Sequence, residues 1–190
     1  MHFTNLYIVS GKRHIGKSTF CRQFSLVAQK KQLDVAGLLS PPILKNDKKI
    51  TILVENLRSG EQKSLAYLEA QENQGPQTEH WFFNADALQW GNTVLSQATP
   101  CDILIVDELG PLELLRHEGW LAGVKAIDEG DYRLGIVVVR PHLLHLAQAR
   151  WQGARTIVLL PYIRGFQTWF WKRQLLTLVL KTFEIISLMS

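Results

Sequence analysis

The sequence predicts an α/β fold, with a mainly parallel sheet flanked by helices on both faces. Three observations carry this expectation. Short β-rich apolar runs recur at residues 6–9, 35–39, 103–106, 135–139 and 156–160 with no polar side to them. Strands of that kind are buried on both faces, as in a parallel sheet. Segments with helical spacing separate the runs, which is the βαβ pattern. The chain also opens as strand, glycine loop and helix, because Ser10-Gly11 ends the first run and Phe20, Phe24 and Val27 then recur at helical spacing.

Taken in order, residues 6–9 read as the first strand and Lys17 onward as the first helix. Residues 35–39 read as the second strand, ended by Ser40-Pro41-Pro42. Asn46-Asp47-Lys48-Lys49 reads as a polar turn and residues 50–57 as a loosely alternating strand, closed by Arg58-Ser59-Gly60. Together they predict a β-hairpin excursion near residues 35–57. Residues 70–78, polar and containing Gly75-Pro76, read as an exposed loop. Trp81-Phe82-Phe83 is a short strand candidate, and Asn84 or Asp86 can cap a helix running to about Gln97. A helix is expected from Glu113 or Glu118 to about Ile127, and another from His142 to Trp151. No repeat or Gly/Ser/Pro-rich linker divides the chain, so residues 1–190 are expected to form a single domain.

Composition narrows the function. Of 190 residues, 46% are hydrophobic and 20% charged, enough apolar material for a core. The formal net charge of +4 is spread among scattered basic residues, with no basic stripe or clear nucleic-acid-reading motif. Cys21 and Cys101 lie in apolar surroundings without C-x-x-C spacing. They read as reduced core residues, and with no export-like signal at residues 1–10 they predict a cytoplasmic protein.

Two motifs carry chemistry. Gly11-Lys12-Arg13-His14-Ile15-Gly16-Lys17-Ser18 matches G-x-x-x-x-G-K-[ST] in full, followed by Thr19. Glycines let the backbone wrap a phosphate, loop amides and the helix N-terminus face the anion, and the lysine neutralises β- and γ-phosphates. The expected ligand is therefore a nucleoside triphosphate. Ser18 is expected to bind Mg²⁺, and Thr19 to help hold the terminal amides. Lys12, Arg13 and His14 either strengthen phosphate binding or sit solvated outside the loop. The second motif is the apolar run 103–106, which ends in Asp107-Glu108. In P-loop proteins such a strand lies beside the phosphate loop and its first acid holds the magnesium shell, a role that fits Asp107. Glu108 is placed to accept a proton from an attacking water. Kinases can place an acid there to activate a substrate hydroxyl instead, so small-molecule phosphoryl transfer stands as an alternative. A nucleotide-dependent switch with slow turnover is a third, although no N-K-x-D base-reading motif is present.

The stretch Val106-Asp107-Glu108-Leu109-Gly110-Pro111-Leu112-Glu113-Leu114 resembles the extended acidic motif of the small P-loop nucleoside triphosphatases known as the cancer-related, or thermophile-type, family. Gly37-Leu38-Leu39-Ser40-Pro41-Pro42, Asn56-Leu57-Arg58-Ser59-Gly60, Trp81-Phe82-Phe83 and Val137-Val138-Val139-Arg140-Pro141 are similar to that family's segments in the same order. The resemblance implies a RecA-like core and Mg²⁺-dependent hydrolysis of nucleoside triphosphates, ATP and GTP both accepted. It carries the phosphate-loop roles onto Gly11, Gly16, Lys17, Ser18 and Thr19, and the acidic pair onto Asp107 and Glu108. Lys12, Arg13, His14 and Ile15 depart from the small or proline residues usual in that loop.

Arg140 closes a buried strand beside the expected site and either reaches the γ-phosphate or turns to solvent before Pro141. Arg58 and Arg116 read as solvated loop arginines. Glu113 either supports the acidic pair from behind or starts a helix, where a negative charge suits the dipole, and the helix is the favoured reading. Trp81 and Trp90 are weak candidates for base neighbours. The apolar tail, about residues 166–189, predicts a terminal helix that packs on the core or mediates self-association. Lys172, Arg173, Lys181 and Glu184 interrupt it, which argues against a transmembrane span.

Overall fold

The computed structural model describes residues 3, 5–46, 48–69, 72, 74–160, 177–179 and 181. The elements run β1 (Leu6–Gly11), α1 (Lys17–Lys30), β2 (Val35–Leu39), β3 (Pro42–Lys45), β4 (Lys48–Asn56), β5 (Gln62–Tyr67), β6 (Gln74–Gln77), β7 (Phe82–Asn84) and α2 (Ala85–Ser96). They continue as β8 (Cys101–Leu109), α3 (Pro111–Leu114), α4 (Leu121–Glu129), β9 (Tyr132–Val139), a 3₁₀ turn (Pro141–Leu143), α5 (Leu144–Arg150) and β10 (Arg155–Leu159).

All ten strands join one sheet. Half of them are parallel, in the order β10-β1-β9-β8-β2. The sheet then continues antiparallel through β4, β5, β7 and β6, with β3 paired to β4 off that path. The expectation of a mainly parallel sheet therefore needs correction, because the sheet is mixed. Strands β3 to β7 are half polar, and such strands are satisfied in antiparallel pairs with one face toward solvent.

In the parallel half, side chains divide by parity between two cores. Leu6 and Ile8 of β1, Leu104 and Val106 of β8, and Val137 and Val139 of β9 join the residues Leu88 and Leu95 of α2 and Ile127 of α4. Tyr7 and Val9, Ile103 and Ile105, Ile136 and Val138 pack on the opposite face against Phe20, Cys21 and Phe24 of α1. This two-sided burial is why these runs carry no polar face in the sequence. Each large apolar side chain so buried contributes about 1.5–3 kcal/mol.

Gly37 shows how tightly β2 lies on β8. Its φ is +110°, and a Cβ there would sit 1.9 Å from the carbonyl oxygen of Ile105, its partner in the parallel register. Gly37→Ala is expected to cost about 2–4 kcal/mol through combined overpacking and left-handed strain, read as a lower midpoint in urea with an unchanged slope. A loss under about 0.5 kcal/mol would contradict this packing.

Several local expectations shift. The polar turn is shorter than Asn46-Asp47-Lys48-Lys49, because Lys48 and Lys49 already belong to β4; Asp47 lies outside the described residues. Within the polar stretch 70–78, Gln74–Gln77 form β6 against β7. The helix expected from Glu113 or Glu118 to Ile127 is two helices, parted where His117 (φ 54°) and Gly119 (φ 72°) take left-handed backbone. Helix α2 starts as expected, with Asn84 accepting the Ala87 N–H at 2.9 Å. Arg58 is not a free loop side chain. It pairs with Asp34 and donates to the carbonyls of Gln97 and Pro100, both at 2.8 Å, tying the β4–β5 turn to the β8 entrance. Most of the tail helix expected over 166–189 lies outside the described residues. Of its members, Leu178 and Val179 are helical and buried in the α1-side core. No helix among the described residues is long and apolar enough to cross a membrane.

Candidate active site

The loop from Gly11 to Gly16 leaves the C-terminal end of β1, which lies between β10 and β9, and enters α1 directly. Gly16 takes the position before the helix with φ 94°, a left-handed conformation that glycine adopts without steric cost. His14 holds φ 62° in the same loop. The Lys17 ammonium folds back over the loop and donates to the carbonyls of Gly11 (2.9 Å) and Lys12 (3.1 Å). Burial lowers its pKa against the opposing pull of Glu108 and Asp107. His14 is also held below its ordinary value, first by burial and then by Lys49, Arg13 and Lys17.

Asp107 and Glu108 stand at the end of β8 on a β-bulge. The β8–β9 register advances three residues, Val106 to Leu109, while β9 advances two, Val137 to Val139. Glu108 is the added residue and has φ 70°. Consecutive side chains on a regular strand point to opposite faces, so Glu108 would otherwise enter the α2/α4-side core. The bulge gives that place to Leu109 and releases Glu108 into the cleft. The left-handed backbone at a glutamate costs about 1–2 kcal/mol, and such strain concentrates at functional sites.

The two acids meet different surroundings. Asp107 is 1% exposed. Its Oδ2 accepts the Ser40 N–H at 3.0 Å, and the Ser40 hydroxyl donates to the Asp107 carbonyl at 3.3 Å. Its Oδ1 is buried without a hydrogen bond of normal geometry. Burial raises the Asp107 pKa to about 6, against the Ser40 N–H and the nearby Ser18 hydroxyl, which favour the charged form. Glu108 is ion-paired with Arg140 through Oε1.

A cleft of about 930 Å³ joins these parts. Its lining includes Gly11, Lys12, Arg13, His14, Gly16, Lys17, Ser18, Thr19, Glu108 and Arg140. Among the described residues, Lys12, Arg13, Lys17, Lys49 and Arg140 face it against one lining carboxylate, Glu108, a surplus of positive charge that suits a polyphosphate. Of the loop residues expected to bind, Ile15 differs: it packs against the α1-side core rather than lining the cleft. Asp107 lies beneath the cleft floor, beside Ser18.

The donor set fits a magnesium ion. An orphaned, buried carboxylate oxygen next to a serine hydroxyl is the kind of donor set that substrate phosphates and water would complete, since Mg²⁺ is usually held by one or two carboxylates plus substrate phosphates. No cluster of three or more His, Cys, Asp or Glu side chains among the described residues forms a closed metal cage.

Two residues escaped the sequence reading, Lys49 and Ser40, and a third, Glu113, takes up its less favoured role. Lys49 projects into the cleft from β4, half-buried. Burial lowers its pKa, Glu108 raises it, and Arg13 and Arg140 lower it. Its only sequence signal was a place in a basic turn. Ser40 anchors Asp107 because β2 lies beside β8, a neighbour relation the sequence does not display. Glu113 lies in α3 as a helix-starting acid, but it does more than complement a dipole. Its carboxylate accepts the N–H groups of Gly110 (2.7 Å) and Trp120 (2.9 Å), bracing the loop that follows Glu108. Arg116 donates to the Gln77 carbonyl at 2.9 Å and pairs with Glu118. Trp81 lines the cleft and Trp90 does not; the Trp90 ring lies under Lys63.

A family model described as NTPase matches residues 6–148. The nucleoside-triphosphatase THEP1 of Methanosarcina acetivorans is 26% identical over 125 residues, covering 65% of this chain and 69% of that protein. The THEP1 of Methanopyrus kandleri is 29% identical over 109 residues, covering 56% and 58%. Among solved structures, the crystal structure of THEP1 from Aquifex aeolicus matches with TM-score 0.66 at 16% identity, covering 91% of this chain and 98% of that one. The solution structure of a human cancer-related nucleoside triphosphatase matches with TM-score 0.65 at 15% identity, covering 91% and 96%. Phosphate loop, acidic strand end and fold coincide with the span of the family match, and the chain belongs to this family of small nucleoside triphosphatases.

Proposed function

We propose that this chain hydrolyses nucleoside triphosphates, ATP and GTP among them, to diphosphate and phosphate with Mg²⁺. The observation that carries the reading is the meeting of phosphate loop and bulged acidic pair in one cationic cleft, with the Asp107 oxygen orphaned beside Ser18. Loop amides and Lys17 hold the β- and γ-phosphates, exchanging the present Lys17 bonds to Gly11 and Lys12 for phosphate oxygens. Ser18 and Asp107 hold Mg²⁺, which when bound neutralises charge building on the phosphates. Glu108 takes a proton from the water that attacks the γ-phosphorus in line. Arg140 leaves Glu108 for the γ-phosphate as nucleotide enters, so one ion pair serves both groups before the substrate arrives. The free thiols Cys21 and Cys101 suit a cytoplasmic setting.

Phosphate release from ATP, GTP, CTP and UTP, with Mg²⁺ and after chelation, tests the reading. Release that depends on the metal is expected; no release from any of the four would sink it.

Lys49 supplies a further cation at the γ-phosphate end. Lys49→Met is expected to lower kcat/KM about tenfold, the effect of about 1.4 kcal/mol. Because the ammonium is half-buried and burial works against its charged form, thermal stability should hold or rise. A variant with unchanged kcat/KM would remove Lys49 from the site.

A further inference from the structure

The cleft does not end at Glu108. It continues into a second cavity of about 450 Å³ whose lining includes Glu108, Arg140, Arg13 and His142; beyond them the apolar side chains of Leu65, Trp81, Phe83, Leu112 and Trp120 share the wall with polar groups such as Thr78, His80, Glu113 and Arg116. That volume falls within the roughly 300–1,000 Å³ typical of small-molecule pockets. Water alone needs neither this volume nor an aromatic lining.

We propose that this cavity is an acceptor subsite, which takes a small aromatic alcohol and lets the chain transfer the γ-phosphoryl group to it. The inference rests on the assignment of the phosphate loop and Glu108 above. The assigned roles set the nucleoside elsewhere. Phosphates run from the loop after β1 toward Asp107 and Glu108 at the end of β8, so the γ-phosphate faces the cavity and the base leaves the other way.

Several polar groups inside already have protein partners. Glu113 is satisfied by two backbone N–H groups, Arg116 by Glu118 and the Gln77 carbonyl, and His80 lies against Glu79. What the cavity offers a ligand is an aromatic, aliphatic body with a single reactive mouth at Glu108. An aromatic ring satisfies the first through stacking and burial, and a hydroxyl satisfies the second. The hydroxyl oxygen forms a bond to the γ-phosphorus. The bond to the β,γ-bridging oxygen breaks, and the nucleoside diphosphate leaves with its electron pair. The hydroxyl proton passes to the Glu108 carboxylate and from there to solvent. Products are a phosphate monoester and the diphosphate; without an alcohol, water takes the same position and hydrolysis results.

The probe is 2-phenylethanol, a ring with a primary hydroxyl, compared with methanol at equal concentration. Wild type is incubated with γ-labelled ATP and Mg²⁺, and labelled inorganic phosphate and alkyl phosphate are separated. Two variants narrow the cavity from its rim without touching the phosphate cleft: Thr78→Trp and His80→Trp. Both residues line the second cavity and neither lines the first. Each variant is scored against its own phosphate release without alcohol, which also reports that it has folded.

Phenylethyl phosphate well above methyl phosphate, reduced roughly tenfold in the variants while alcohol-free release stays within about twofold, is the expected result. Phosphate release with no excess of phenylethyl phosphate overturns the acceptor subsite and leaves hydrolysis standing. Phenylethyl phosphate undiminished in both variants also overturns it, because the alcohol would then be bound elsewhere. Absence of both labelled products overturns the hydrolysis reading, and the acceptor subsite falls with it.

Discussion

Glu108→Gln is expected to lower the rate of phosphate release by about 10²–10⁴-fold, the usual contribution of a positioned general base, while nucleotide affinity changes only a fewfold. The amide keeps the size of the carboxylate and its place on the bulge, but it cannot take a proton from water. The substitution also removes the ion pair with Arg140. That pair is about one-third exposed on each side, 34% and 31%, so its loss costs under about 1 kcal/mol of stability. An arginine freed from Glu108 is available to the γ-phosphate from the start, which favours tighter binding. Single-turnover phosphate release and calorimetric titration with a non-hydrolysable analogue separate the two quantities. A rate within threefold of wild type would assign the base to another group. Equal losses in rate and affinity would make Glu108 a binding residue.

How far this site could be read from sequence depends on how local each part is. The phosphate loop is one continuous segment, and its glycine spacing already states the backbone it needs. Gly16, Lys17 and Ser18 stand where α1 begins and line the cleft. Asp107 was legible because an apolar run ending in an acid, together with a phosphate loop, implies strands of one parallel sheet, although the two are not neighbours as expected: β9 lies between β1 and β8. The structure adds what depends on long-range pairing. Lys49 reaches the cleft only because β4 pairs with β2, which pairs with β8. Ser40 meets Asp107 for the same reason. The bulge at Glu108 has no sequence signal, since glutamate rarely adopts φ near 70°. Without the bulge, the expectation that both acids serve one site would conflict with strand alternation.

The fold divides along the same line. Strands buried on both faces announce themselves as unbroken apolar runs, and residues 6–9, 103–106 and 135–139 all lie inside observed strands. Gln62–Tyr67 and Gln74–Gln77 carry too few apolar residues for that signal. They are strands because neighbours supply the backbone partners, through β4–β5 and β6–β7 pairing. Arg58 looked like a solvated turn residue for a related reason. Its partners Asp34, Gln97 and Pro100 are 24, 39 and 42 residues away in sequence.

Asp107→Asn is expected to separate stability from function at a single atom. Wild-type Asp107 has a pKa of about 6, pushed up chiefly by burial, where an exposed aspartate titrates near about 3.9. Between those values the folded chain holds more proton than the unfolded one, so stability falls as pH rises through the window. Above about pH 6 the full cost of a buried, half-partnered carboxylate is present. Asparagine removes that charge and keeps an oxygen for the Ser40 N–H. Without nucleotide or metal, the variant should therefore be more stable than wild type by about 1–3 kcal/mol at pH 8. The difference should shrink as pH falls and vanish below about pH 4. In urea titrations, a gap that ignores pH would contradict a buried carboxylate at this position. The same substitution should cost at least about 100-fold in Mg²⁺-dependent phosphate release, because a neutral amide is a far weaker ligand for a hard cation. It should also abolish the extra stability that Mg²⁺ and nucleotide together give wild type. A variant that kept its metal response would move the ion away from Asp107. The oxygen that destabilises the empty protein is the one the metal needs, so the cost of burying it and the affinity it confers should disappear together.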